Sequence, residues 1–409
     1  MEGCILAKVL LILGGGADQL PGVLKAQEMG IYTIVLDGNS EAYCKKYSDE
    51  FYTVSIKHIE QIDEFLDNYS KKIDGVIAFG VDIPYIIAYV ANRLKINYTI
   101  PLQSAKLSEN KFYSKEFMHK YNINIPAYSL VNSVDDIKKF VDIYGFPFVL
   151  KPVDNSASRG ISLLHNLENI NKYYEYAISQ SSCNQIMVEK YLDGFQISTE
   201  SFIVNSKVFN IGFADRNYED MDKFMPNIIE NGGDLPSIYM KEKHKFQLEK
   251  YLKIISKELN IRNGVIKGDI IIYKDELYII ELALRLSGGN LSTIEIPEST
   301  GVDFLQVAIK LHMNLKIDET ELKIEKNDFI SLRYKFLEDI KKGKIKNINL
   351  PEVNNISSSL FIKIGDEIKS NKTENHANRI ASVITRGSSR DEAINKANEY
   401  LQNLEIVFE

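Results

Sequence analysis

Gly268-Asp269-Ile270-Ile271-Ile272-Tyr273, followed by Tyr278-Ile279-Ile280-Glu281-Leu282-Ala283-Leu284-Arg285-Leu286-Ser287-Gly288-Gly289, is the stretch whose reading decides the fold. Both halves are β-branched and apolar, and Lys274-Asp275-Glu276 between them predicts the turn of a hairpin. An antiparallel hairpin lays the start of its first strand beside the end of its second, which brings Asp269 next to Glu281. Two such carboxylates offer hard oxygen ligands to Mg²⁺, which takes one or two from protein and fills its shell with water and phosphates. Arg285 follows four residues after Glu281, and Ser287-Gly288-Gly289 lets a ligand approach bare backbone. Metal, cation and amides suit phosphoryl chemistry. A structural hairpin with one edge ion pair and a glycine-rich exit fits the same residues, and the chain upstream decides between the two.

The 409 residues predict two to four domains or subdomains, and 44% hydrophobic with 26% charged residues is ordinary for a protein with a large core. A net charge of −7 argues against sequence-independent nucleic-acid binding, which uses basic surfaces. Cys4, Cys44 and Cys183 lie far apart without a CxxC, the usage expected of a reducing cytoplasm and not of a zinc cluster. Neither HExxH nor Gly-x-Ser-x-Gly occurs, so zincin and α/β-hydrolase readings find no support. Ile5 to Leu13 is too short to span a membrane, and Asp82 and Pro84 interrupt the longer run Gly75 to Ala91.

In chain order, Val9 to Leu13 reads as a buried strand, Gly14 to Gly16 as a tight turn, Pro21 to Met29 as a helix, and Tyr32 to Leu36 as a strand ending in Asp37. Gln19 stands where the third glycine of a dinucleotide fingerprint would open the helix, so an NAD site is not expected. With Ile73 to Gly80 as a further strand, residues from about 8 to 105 predict a parallel α/β domain. The glycine turn, Asp37 and Gly80-Val81-Asp82 fall at carboxyl ends of its strands, where such sheets bind ligands.

Ser108 is expected to open an amphipathic helix to Tyr121 that carries Lys111, and Ser133 to cap a helix ending at Gly145. Pro147 to Pro152 is an apolar strand with Lys151 inside it, and a buried ammonium is costly unless an anion meets it. The loop from Val153 to Gly160 is small and polar, with Ser156 and Ser158 as donors beside backbone amides that can turn toward phosphate oxygens. Lys151 is therefore assigned to ATP phosphates. Gln185 to Gly194 is a strand running into an extended linker, Ile197 to Val204 a strand carrying Glu200, and Gln247 to Leu259 a helix. Arg216 could clamp a carboxylate, with Tyr218 and Phe224 lining a pocket. Strands over Ser358 to Ile364 and Ile380 to Thr385 and a helix capped by Ser389 close the chain, and Lys341 to Lys346 reads as a solvated hairpin.

Lys111, Lys151 with its loop, Glu189 to Leu192, Asp269, and Glu281 to Arg285 stand in the order required by the ATP-grasp superfamily, which the chain resembles over nearly its whole length. Closest in pattern are ligases related to biotin carboxylase and the carbamoyl-phosphate synthetase large subunit. The resemblance implies an N-terminal Rossmann-like parallel α/β domain over about 1–105. An ATP-grasp domain of two α+β subdomains follows over 106–327, with a lid at about 125–190, and a small closing subdomain over 328–409. It implies that Lys111, Lys151, Ser156, Ser158 and Gly160 surround ATP phosphates, and that Lys190 and Leu192 give main-chain contacts to adenine. Glu189 adds a side-chain contact, Glu200 an acidic group near the lysines, and Asp269 and Glu281 hold Mg²⁺ or Mn²⁺. Arg285, Gly288 and Gly289 serve the reacting groups. Two positions depart from the pattern: Ala283 replaces the usual Asn, and Gln196 a common glutamate.

The activity implied is that of a cytoplasmic carboxylate–amine ligase, with the oligomeric state left open between a monomer and the homodimer common in this architecture. It would use ATP to form an acyl-phosphate, release ADP and phosphate, and act on small molecules without nucleic acid or membrane. Alternatives are a bicarbonate-activating enzyme and a non-catalytic nucleotide-binding protein, the latter supported by Ala283.

Overall fold

The computed structural model describes residues 8–96 and 100–409; Cys4 and the beginning of the Ile5 to Leu13 run lie outside them. Strands β1 (Val9–Leu13), β2 (Tyr32–Asp37), β3 (Glu50–Thr53) and β4 (Gly75–Ile77) form a parallel sheet in the order β3-β2-β1-β4. All five residues of β1 are buried, as parallel strands covered on both faces require. Asp37 does not stand free at the end of β2. Its Oδ2 accepts the Gly15 N–H at 2.7 Å and so fixes the glycine turn after β1.

A second, antiparallel sheet is built from β5 (Tyr128–Val131), β6 (Phe148–Pro152), β7 (Ser162–Leu164) and β8 (Ile186–Lys190), ordered β5-β8-β6-β7. Its two helices, Val134–Tyr144 and Ile170–Ser179, close a separate small core with Phe140, Phe148 and Val188. The helix expected from Ser108 to Tyr121 runs from Lys111 to Lys120, and a separate helix, Leu102–Ser108, precedes it. The break falls where the Asn110 side chain accepts the Tyr113 N–H at 3.1 Å, because an N-cap asparagine starts a helix in preference to continuing one.

The remaining strands are β9 (Phe195–Val204), β10 (Lys207–Asn217), β11 (Gly232–Leu235), β12 (Gly264–Tyr273), β13 (Glu276–Ala283), β14 (Phe329–Lys335), β15 (Gly343–Asn349), β16 (Ser357–Leu360), β17 (Glu367–Ile368), β18 (Ala381–Gly387) and β19 (Glu405–Phe408). Eight of them make an antiparallel sheet, β13-β12-β9-β10-β11-β14-β18-β16, and β17-β15-β19 make a small fourth sheet. The parallel sheet, the four-stranded lid sheet and the large antiparallel sheet together give the mixed α/β and α+β fold. The β12–β13 turn is Lys274 and Asp275 alone, both left-handed at φ 50° and 62°, and Glu276 already belongs to β13. Two consecutive left-handed residues match the twist of a tight hairpin. The helix expected from Gln247 begins at Glu242, the strand expected to reach Ile364 ends at Leu360, and Phe224 packs in the core, 2% exposed.

Candidate active site

A cavity of about 780 Å³ opens between the lid sheet, the large sheet and the loops leaving β4, with residues of all three in its wall. Val149 and Lys151 share one face of β6 and both line it. Glu189 on β8 is registered opposite Val149, hence diagonal to Lys151, and its Oε1 lies 2.9 Å from the Lys151 ammonium. Its Oε2 lies 2.5 Å from Lys115, on the helix Lys111–Lys120. Lys115, Lys151 and Glu189 are all buried, so two ammonium groups share one carboxylate and leave a surplus positive charge in a place shielded from water. An uncompensated buried charge is costly, and an anion in the cavity relieves it. Burial is the main cause that lowers the Lys115 pKa to about 8; Glu189 opposes the shift and Lys151 reinforces it.

One helical turn before Lys115, the Lys111 ammonium reaches Glu281 Oε1 at 2.9 Å and the Asn155 carbonyl at 2.7 Å. The Lys111 N–H donates to the Val153 carbonyl at 2.8 Å, so this helix is anchored to the lid loop that it faces. In that loop Ala157, Ser158 and Gly160 are left-handed, at φ 57°, 60° and 75°, a backbone form that gathers N–H groups on one side as anion sites do. Lysines, surplus charge and loop fit a polyphosphate.

Asp269 and Glu281 are direct cross-strand partners, and a bulge follows immediately after Asp269. Burial would raise the Asp269 pKa, but Lys267, Arg216 and the Ser198 hydroxyl outweigh it and hold the carboxyl well below the usual range. Asp269 is therefore a carboxylate at any physiological pH. No group of three or more His, Cys, Asp or Glu among the described residues could hold a metal, so the protein offers two carboxylates, which suits a cation that completes its shell with phosphate and water. Ala283 lies opposite Lys267, whose ammonium pairs with Asp269.

Beyond the hairpin, Arg285 Nε donates to Asp82 Oδ1 at 2.7 Å, joining the exit of β13 to the loop after β4. Glu200 Oε1 accepts the Ser287 N–H at 2.6 Å and sets the start of the glycine turn. Burial lifts Glu200 to about 7, against the Ser287 bonds and the charges of Lys267 and Arg285. Gly288 touches the Gly80 turn so closely that a Cβ on it would lie 3.1 Å from the Gly80 carbonyl oxygen. The Arg379 guanidinium stacks 3.5 Å over the Tyr334 ring and donates to the Glu230 carbonyl at 3.1 Å. His376 Nε2 lies 3.2 Å from Ser158 Oγ, which brings the segment before β18 onto the lid loop.

Lys111, Lys151, Ser156, Ser158, Glu189, Lys190, Leu192, Asp269, Glu281, Arg285, Gly288 and Gly289 all line this one cavity. Gly160 and Glu200 do not. Gly160 packs beneath the loop against Pro152 and Gln180, and Glu200 is wholly buried behind Ser287, paired in register with Lys267 and not with the lid lysines. Arg216 is already engaged by Glu230 at 2.7 Å and Asp269 at 3.3 Å, which leaves it a poor clamp for a substrate carboxylate. Sequence reasoning missed Lys115, although its i+4 spacing from Lys111 puts it on the same helix face. It also missed Lys267 and Tyr334, which enter the wall through sheet pairing, and Glu230, Glu295 and Arg379, which stand outside the strands; none of the five carries a local motif.

Residues 109–289 match the model of a family described as phosphoribosylglycinamide synthetase, ATP-grasp (A) domain. The carbamoyl phosphate synthase large chain of Thermoanaerobacter pseudethanolicus is 25% identical over 308 residues, 73% of this chain and 27% of that protein. The chain thus spans little more than a quarter of the curated relatives it matches. Phosphoribosylglycinamide synthetase from Anaerococcus prevotii superposes with a TM-score of 0.76 at 21% identity, over 98% of this chain and 100% of that one. L-amino acid ligase from Bacillus licheniformis does so at 0.81 and 16% identity, over 98% and 99%. Residues 109–289 thus match an ATP-grasp domain, and the chain as a whole shares the fold of these two solved structures.

Proposed function

We propose that the protein is an ATP-dependent carboxylate–amine ligase that passes through an acyl-phosphate and releases ADP and phosphate. The observation that carries this reading is a single cavity with a buried surplus of lysine charge, the Asp269–Glu281 pair, Arg285 and the Gly288-Gly289 turn in its wall. Lys111 and Lys151 bind phosphate oxygens and Lys115 supports them through Glu189. The Lys190 to Leu192 main chain takes the adenine, with Ser156 and Ser158 over the phosphates. Mg²⁺ or Mn²⁺ at Asp269 and Glu281 would neutralise phosphate charge as the γ-phosphoryl group moves. Arg285, oriented by Asp82, and the amides of the glycine turn hold the substrate carboxylate while it attacks the γ-phosphorus. The amine then attacks the acyl carbon and phosphate leaves with the bonding electrons. A cytoplasmic setting and a homodimeric assembly belong to the same reading; among the described residues no helix is long and apolar enough to cross a membrane.

The test is incubation with ATP, Mg²⁺, pooled small carboxylates and hydroxylamine. ADP, phosphate and a hydroxamate are expected; AMP with pyrophosphate would instead establish an adenylate and overturn the reading. Activation of bicarbonate is a second reading, favoured by the 25% identity to a carbamoyl phosphate synthase. It predicts bicarbonate-dependent ATP turnover with no hydroxamate from any pool.

A further inference from the structure

In the wall of the same cavity, two ionisable side chains are left without an ion-pair partner among the described residues, and burial with the neighbouring Glu230 and Asp234 pushes the Glu295 carboxyl well above the usual range, which disfavours its charged form until a cation meets it. Glu295 closes the short turn Leu291–Glu295 that follows the Gly288-Gly289 bend. It lines the cavity, is only 2% exposed, and has no hydrogen-bond or ion-pair partner among the described residues. Arg333, the cation in whose field it lies, is no help to it, because its guanidinium is committed to Asp234 through bonds of 2.9 and 3.1 Å. Arg379 also lines the cavity. Its guanidinium is spread over the Tyr334 ring at 3.5 Å, its one hydrogen bond goes to a backbone carbonyl, and its Nε is buried with no partner. No carboxylate pairs with it among the described residues. The Tyr334 hydroxyl lies within the fields of both groups and sits against the glycine turn, where a Cβ on Gly289 would come within 3.1 Å of it.

A buried carboxyl without a donor and a stacked guanidinium without an acid are each incomplete, and they flank the same tyrosine. A ligand with one charge would satisfy only one of them. We propose that this corner is a subsite for an amino acid, with Arg379 taking its carboxylate and Glu295 its ammonium group, and that the amine substrate of the ligase is held there beside the glycine turn. The assignment rests on the ligase reading of the cavity. Tyr334 gives the floor: its ring orients Arg379 and its hydroxyl reaches toward the Gly289 turn, so the amino group lies on the side where the activated acid is held. Glu230 and Asp18 add negative field, which favours a cationic amine over a neutral one.

The experiment is equilibrium binding of the twenty common L-amino acids to the full chain by calorimetry, with MgATP binding measured separately. For the tightest binder, its methyl ester and its N-acetyl derivative are then compared with it. The subsite predicts that removing either charge weakens binding about tenfold or more. Arg379→Gln is expected to abolish discrimination against the ester and Glu295→Gln discrimination against the N-acetyl form, each without abolishing the other. If either variant fails to melt cooperatively, the comparison of derivatives on the wild-type chain decides alone. Equal binding of the three forms, or MgATP binding with no amino acid bound, overturns the subsite and leaves the ligase reading standing. Amino acid binding with the stated discrimination but no MgATP binding supports the subsite and overturns the ligase reading.

Discussion

Asp269 and Glu281 face each other on one rung of the β12–β13 hairpin, yet their surroundings make them unequal. Asp269 is fenced by Lys267, Arg216 and Ser198, whereas Glu281 has Lys111 and a side chain 30% exposed to the cavity. Removing the Asp269 charge leaves two buried cations short of a partner, a loss of about 3–5 kcal/mol where a buried pair is broken. Removing Glu281 takes away a solvent-reachable ligand. Asp269→Asn is therefore expected to lower the melting temperature clearly. Glu281→Ala should melt closer to the wild type than Asp269→Asn does, because the Lys111 ammonium keeps the Asn155 carbonyl, while losing about 10² or more in kcat/KM, the size of one lost preorganised transition-state contact. Equal melting of the two variants, or full turnover in Glu281→Ala, would contradict this division. At this scale the sequence was readable where a residue sits in a local pattern, as Lys151 does inside its apolar strand. It was silent on Lys267 opposite Ala283, because that pairing depends on register.

The helix Lys111–Lys120 and strands β6 and β8 act as one device, since Lys115 and Lys151 meet on Glu189. The device is cationic only while Lys115 holds its proton. Its pKa is lowered from 10.5 to about 8 by burial, so Lys115 contributes stability above about pH 10.5 that is lost as pH falls to about 8, where the buried group must charge. Anion binding follows the opposite course. ATP affinity is expected to fall as pH rises through about 8, and Lys115→Arg, charged throughout this range, should remove that inflection. An unchanged inflection in the arginine variant would assign it to another group. The strands themselves were legible from β-branched runs and turn residues. Their order was not: β9 pairs with both β10 and β12, and the second partner begins some sixty residues later in the chain. Such long-range pairing is fixed by burial of the sheet as a whole.

Across the whole molecule, the cavity is where separate parts of the chain are tied together: Asp82 to Arg285, Ser158 to His376, Lys111 to both Asn155 and Glu281. The Asp82–Arg285 pair is the contact by which the parallel sheet reaches the reacting groups. Asp82→Ala is expected to cost about 10² in turnover through misplacement of Arg285 while ATP still binds, because the lid lysines are untouched. A ligand that engages the lid and the hairpin together also stabilises the fold as a unit. At a hundredfold excess over its Kd, MgATP should add about 2.7 kcal/mol, visible as a raised melting temperature that Lys151→Met loses. The ordered motifs from Lys111 to Arg285 made the architecture legible along the chain. The closing contacts of His376 and Arg379 were not, since their segment carries no periodicity and matters only for where β18 brings it.

The central claim is transfer of the γ-phosphoryl group to a carboxylate oxygen, and the most direct test follows one oxygen atom. With the acid identified by its hydroxamate and labelled with ¹⁸O in its carboxylate, turnover with ATP and the amine should place one ¹⁸O in each phosphate released. Unlabelled phosphate, with the ¹⁸O found in AMP or retained in the acid, would contradict the account.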